Sequence, residues 1–144
     1  LRRAQMMNSK RPPDKIGQDM GDGIMFKIIQ GLPGNIVGLS ATGTITDEDY
    51  SGTLIPLVEK AIREDGKVRM LMRFGPDFKG YTSGAMWDDT RFGLSHWGDF
   101  EKLAVVSDIA WIQNSVALFA PLIPAPVRVY GGSELEDAKR WIAE

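Results

Sequence analysis

Cysteine is absent from the 144-residue chain, which removes disulfide staples, a thiol nucleophile and zinc–thiolate sites together. Histidine occurs once, as His96, so a multi-histidine metal centre is excluded as well, and no metal site is expected. There is no excess of positive charge: 17 basic groups face 19 acidic ones and the pI is near 5.5. A non-specific nucleic-acid binder needs a basic surface to displace counterions, so no nucleic-acid partner is expected. An unbroken apolar run of membrane-spanning length is missing too. Residues 109–127 carry no charge, but Gln113, Asn114, Pro121, Pro124 and Pro126 interrupt them, and such a stretch does not span a bilayer. The glycine-rich phosphate loop, the G-x-S-x-G elbow and the H-E-x-x-H helix do not occur either. Nothing in these patterns supports catalysis or a cofactor, and the chain reads as a non-enzyme.

What is present is an ordinary globular composition, 43% apolar and 25% charged, at a length that fits one domain. Residues 1–24 stand apart. They are net basic, carry a Pro12-Pro13 pair and hold few apolar groups, too little to offset chain entropy. They read as a mobile tail or leader, without the continuous apolar core of a secretory signal. Residues 25–144 hold 12 basic and 16 acidic groups and form the domain.

Within it, 25–30 is a short β-rich run and Gly31-Leu32-Pro33-Gly34-Asn35 a turn. Residues 36–43 form a second strand, so the two make an antiparallel hairpin. Thr46 and Asp49 open a helix by capping its free amides, and helical spacing holds to Glu64 with a kink expected at Pro56. A third strand covers 68–74, closed by Gly75-Pro76-Asp77. A second helix follows from about Ser83 to Trp97, with Met86, Thr90, Gly93, Leu94 and Trp97 along one side. Residues 103–107 form a nearly all-apolar fourth strand of the kind buried on both faces. A third helix covers 109–122, a fifth strand 127–130, and Ser133 with Glu136 suggests a capping box for the last helix. The order β-β-α-β-α-β-α-β-α demands right-handed crossovers. The fold class is therefore α/β, a five-stranded mostly parallel sheet with an N-terminal hairpin and about four helices.

One set of residues is distinctive in combination: Gly84-Ala85-Met86-Trp87-Asp88-Asp89, Gly93-Leu94, His96-Trp97, Asp99-Phe100-Glu101-Lys102, Val105-Val106, Asp108, Trp111-Ile112 and Trp141. With Thr46-Asp47-Glu48-Asp49-Tyr50 and Pro56, this text resembles the SpoIIAA-like proteins, bacterial STAS/SEC14-type domains, from Phe26 to the C-terminus. The resemblance implies the anti-sigma-factor-antagonist type of sheet-and-helix fold, which agrees with the order just derived, and a likeness to lipid-transfer domains.

Three places are candidate sites. In phospho-regulated STAS domains a serine stands where the third strand enters the second helix, and Ser83 matches that place, although Tyr81 replaces the usual preceding aspartate. Ser83 is thus a candidate phosphoacceptor or, alternatively, an N-cap. The second place is the uncharged helix. Trp111, Ile112, Val116, Leu118, Phe119, Leu122 and Ile123 cover a broad arc, whereas an exterior helix of an α/β protein normally carries charges outside. Neighbouring helices, a homodimer partner, lipid or an apolar ligand are the coverings to weigh. The third is the Trp87, Asp88, Asp89, His96 and Trp97 group. His96 is the one side chain that titrates near neutrality unperturbed. Either these residues simply pack, or His96 and the tryptophans rim a pocket.

The reading favoured on these grounds is a non-enzymatic binding domain for an apolar small molecule or lipid, without a cofactor. Trp87, Trp97, Trp111, Ile112, Val116, Phe119 and Ile123 would be its ligand-binding wall and His96 its rim. The expected location is the cytoplasm, with peripheral contact at the inner membrane face through the 109–123 helix. The alternative is a regulatory protein–protein interaction module switched at Ser83.

Overall fold

Each crossover in the chain steps from one strand to its immediate neighbour, and that regularity decides where the helices lie. The computed structural model describes residues 25–144; the expectation for residues 1–24 falls outside the described residues, as do the side chains of Trp87, Asp88, Thr90 and Leu94. Strands β1 (Phe26–Ile28), β2 (Ile36–Ile45), β3 (Val68–Tyr81), β4 (Phe100–Ser107) and β5 (Val127–Tyr130) form one sheet in the order β1-β2-β3-β4-β5. β1 is antiparallel to β2, and all other pairs are parallel. Right-handed crossovers that all advance in one direction place their helices on one face of the sheet. Those helices are α1 (residues 47–65), α2 (Ser83–Ser95) and α3 (Ala110–Phe119, continued by a 3-10 turn at Ala120–Leu122). The last helix, α4 (Leu135–Ala143), has no further strand to reach and covers the opposite face.

Strand alternation separates the two cores. Met70, Met72 and Phe74 of β3 and Val105 of β4 point toward α1, α2 and α3. Leu71, Ala104 and Val106 point toward Ala138, Trp141 and Ile142 of α4. Leu39, Ile45, Val68, Leu71 and Ile142 have no accessible surface, and each such side chain contributes about 1.5–3 kcal/mol of burial. The end of α4 is tied to the sheet by cations. Arg69 donates to the Ile142 carbonyl (2.8 Å) and Lys102 Nζ to the Trp141 carbonyl (3.0 Å), which satisfies acceptors that a helix C-terminus leaves free.

Helix α1 begins as its residues dictate. Asp49 N–H donates to Thr46 Oγ1 (3.2 Å), Thr46 N–H donates to Asp49 Oδ2 (2.8 Å), and Gly66 ends the helix in the left-handed conformation (φ 82°). The kink expected at Pro56 takes a particular form. Residues Tyr50–Leu54 are a π-turn, in which Ile55 N–H reaches back to the Tyr50 carbonyl. Widening the turn just before a proline relieves the helix where one backbone donor is missing.

Three local expectations are corrected. Gly75-Pro76-Asp77 does not close β3: the pairing passes from Ala41↔Phe74 to Gly43↔Phe78, so three residues bulge opposite one and the strand runs on to Tyr81. Gly43 (φ 62°) and Gly80 (φ 125°) supply the left-handed backbone that this double irregularity requires. The buried side of α2 carries Ala85 and Phe92, while Met86, expected on the packed side, is exposed. Ser133 does not cap α4 either. It lies in a 3-10 turn, Gly132–Glu134, where Gly131 N–H donates to Glu134 Oε1 (2.6 Å) and Gly132 N–H to Asp108 Oδ1 (2.9 Å).

Candidate functional site

The π-turn and the extension of β3 meet at the same place. Tyr50 opens the π-turn, Tyr81 ends β3, and both face a partly open cavity of about 290 Å³ between the three-helix layer and the sheet. Its floor is Met70, Met72 and Phe74 of β3 with Leu103 and Val105 of β4. Its walls come from Tyr50 and Leu54 of α1, Phe92 and Gly93 of α2, and Val116 of α3 with Ile123 just beyond. Trp97 and Phe100 complete the lining. Among the described residues, Asp89 is the only charged side chain on it.

Asp89 is held by a tyrosine. Tyr50 Oη donates to Asp89 Oδ1 at 2.9 Å. Tyr81 stands beside Tyr50, ring centroids 5.9 Å apart. Burial, then the Asp89 charge, pushes the Tyr50 and Tyr81 hydroxyls above the ordinary phenol range, so both stay protonated donors. Burial also pushes the Asp89 carboxyl up, partly offset by the Tyr50 hydrogen bond. Asp89 is nonetheless exposed to solvent from its place on the cavity lining, so screening by water offsets part of that rise. Among the described residues its Oδ2 receives no hydrogen bond.

Of the residues singled out in the sequence, the structure brings Val116, Ile123 and Trp97 to this cavity. Ile112 is buried in the core below α3 and does not line it. Trp111 leans against Phe78 (ring centroids 5.9 Å) with half of its surface exposed, and Phe119 points outward. The Trp87 side chain lies outside the described residues. His96 is not at the cavity. Its Nδ1 is 2.9 Å from Asp99 Oδ2, its Nε2 is 3.5 Å from Glu59 Oε2, and its ring lies tilted against Phe92. Ser83 is exposed at the first position of α2, whose cap is Thr82, with Ala85 N–H donating to Thr82 Oγ1 at 3.1 Å.

Tyr50, Tyr81 and Asp89 were not picked out together from sequence. One signal was available: Ala85, Asp89 and Phe92 are spaced four and three apart, so a carboxylate sits in the buried stripe of α2. Tyr81 needed the bulged end of β3, which a glycine–proline–aspartate turn signal concealed. Among the described residues, no group of three or more potential ligands could hold a metal ion, and no helix is long and apolar enough to cross a membrane.

A consecutively ordered, mostly parallel sheet with its crossover helices on one face defines an α/β domain. The profile of the SpoIIAA-like family matches residues 36–143, and the chain belongs to that family. A crystal structure of an uncharacterized protein from the DUF3478 family with a SpoIIAA-like fold, from Shewanella loihica PV-4, is similar. It has 24% identity over 88% of this chain and 99% of that one, with a TM-score of 0.66. That likeness carries the fold. No curated protein matches.

Proposed function

We propose that this SpoIIAA-like domain is a binding module that takes an apolar small molecule or a single acyl chain into the cavity beneath α2 and α3. The supporting observation is the cavity itself. About 290 Å³ is lined almost wholly by aliphatic and aromatic side chains, with one charged group among the described residues, Asp89, the composition of a small-molecule site. The expected measurement is organic extraction of the purified protein followed by mass spectrometry. A stoichiometric apolar compound in wild type, depleted in a Val116→Trp variant whose indole fills the space, supports the reading. A clean extract, together with no thermal shift from fatty acids, alcohols or amines, overturns it.

Helix α3 adds a second component. Its inner side supplies Val116 to the cavity, while Trp111 (50% exposed), Leu118 (70%), Phe119 (56%) and Leu122 (64%) form an uncharged outer crest. An apolar crest on a helix that also walls an apolar cavity suits docking on a membrane from which a ligand is taken. Flotation with phosphatidylglycerol–phosphatidylethanolamine vesicles tests it. Concentration-dependent dimerisation in light scattering, without flotation, replaces the membrane with a second copy of the chain.

The regulatory reading draws on the exposure of Ser83 at the start of α2, where Thr82 already serves as the cap. A phosphate there would meet free amide protons and the positive end of the helix. Ser83→Asp is expected to change which protein co-purifies; an unchanged partner profile removes the idea.

A further inference from the structure

We propose that the ligand of this cavity is a small organic cation, a protonated amine on an aromatic or aliphatic body, received by the Asp89 carboxylate among the surrounding rings. The inference rests on the reading of the cavity as a ligand site and names the chemistry of what enters it.

Three features of the lining point the same way. First, its charge has one sign: among the described residues Asp89 is acidic, and no lysine, arginine or histidine stands on the lining with it. A fatty acid or phosphate headgroup would give up water without gaining a counter-ion and would meet a like charge. Second, the Tyr50 hydroxyl is turned toward the carboxylate and not toward a guest. It donates to Asp89 Oδ1 and has no second proton to offer. On the carboxylate, Oδ2 remains as an acceptor for a guest. Third, the walls are rich in rings. Tyr50, Phe74, Tyr81, Phe92, Trp97 and Phe100 all line the space, and the faces of such rings attract a desolvated cation.

The same arrangement explains why an acid is kept in an otherwise apolar stripe of α2. A carboxylate with one donor on an apolar cavity lining carries a desolvation cost, in keeping with its raised carboxyl pKa, and a bound ammonium offsets it. A neutral alcohol can donate one hydrogen bond to the same oxygen but brings no charge, so the amine is the preferred guest.

Calorimetric titration of the full chain with three probes of one shape, phenylpropylamine, phenylpropanol and phenylpropanoate, tests the proposal. The expected order is amine at least tenfold tighter than alcohol, with the carboxylate weakest. In Asp89→Asn the amine preference is expected to disappear while alcohol binding persists, and in Tyr50→Phe, which keeps the carboxylate, it is expected to survive. Equal binding of amine and alcohol by wild type, or a preference for the carboxylate, overturns the cation and leaves the cavity reading standing. Failure of all three probes to bind overturns both. The wild-type comparison decides the matter even if Asp89→Asn does not fold.

Discussion

Tyr50 is one of the most deeply buried large side chains in the protein, and its hydroxyl is the donor that Asp89 receives. Removing that hydroxyl takes away a hydrogen bond to a charged group. Tyr50→Phe is expected to lower stability by about 2 kcal/mol in urea titration. Two carboxyls should give the protein opposite pH limbs. Asp89 is raised by burial, so the native state holds its proton more tightly than the unfolded chain does. Stability then falls as pH rises from the unfolded value through the folded one. Asp89→Asn should flatten that descent and raise Tm at neutral pH. Glu101 is the reverse case. Its hydrogen bond from Arg69, Nε to Oε1 at 3.2 Å, holds its carboxyl below the usual range. Its contribution is present above the unfolded value and disappears as pH falls toward the folded one, a limb that Glu101→Gln should remove. The Glu101 effect is the smaller, because the pair is partly exposed and screened.

Helix α3 separates inside from outside residue by residue, and substitutions along it should divide in the same way. Ile112→Ala opens a hole in the core and is expected to cost about 2–5 kcal/mol. Leu118→Glu and Phe119→Glu alter exposed positions and should move stability by no more than about 0.5 kcal/mol. Vesicle flotation should be lost in the two glutamate variants and kept in Ile112→Ala. The uncharged character of this helix was plain in the sequence, as were the crossover order, the Thr46–Asp49 cap and the Gly66 stop, since each depends on local chemistry. The side that faces inward was not plain. With apolar groups nearly all round, periodicity has no polar face to orient it, and only the sheet below decides that Ile112 is buried and Leu118 is not. The end of β3 escaped for a related reason: Gly75-Pro76-Asp77 has the composition of a turn, and the parallel partner β2 holds it as a bulge instead. The Tyr50–Asp89–Tyr81 group joins α1, α2 and the end of β3, positions up to 39 residues apart. No spacing rule reaches across such a distance.

The sheet divides the protein into two cores that share strands and little else. On one side lie the three crossover helices and the cavity; on the other, α4 covers Leu71, Ala104 and Val106, with Ile29 and Leu32 of the β1–β2 connection packed beside it. Side chains alternate along β3 and β4, so Met70, Met72 and Val105 meet the cavity while their neighbours Leu71, Ala104 and Val106 meet α4. A defect on the α4 side should therefore weaken the fold without reshaping the site. Ile142 is fully buried, and its own carbonyl is tied to Arg69 by a backbone contact that a side-chain change leaves in place. Ile142→Ala is expected to lower global stability by about 2–5 kcal/mol, while affinity for a cavity probe changes less than twofold at temperatures where the variant is folded. Val116→Trp should do the opposite, filling space on the cavity side, holding or raising Tm and abolishing probe binding. Denaturant titration and calorimetry on the two variants measure both effects. If Ile142→Ala weakened probe binding as strongly as it weakened the fold, the sheet would be transmitting strain between its faces. The cavity would then depend on the α4 layer, and not on the residues that line it.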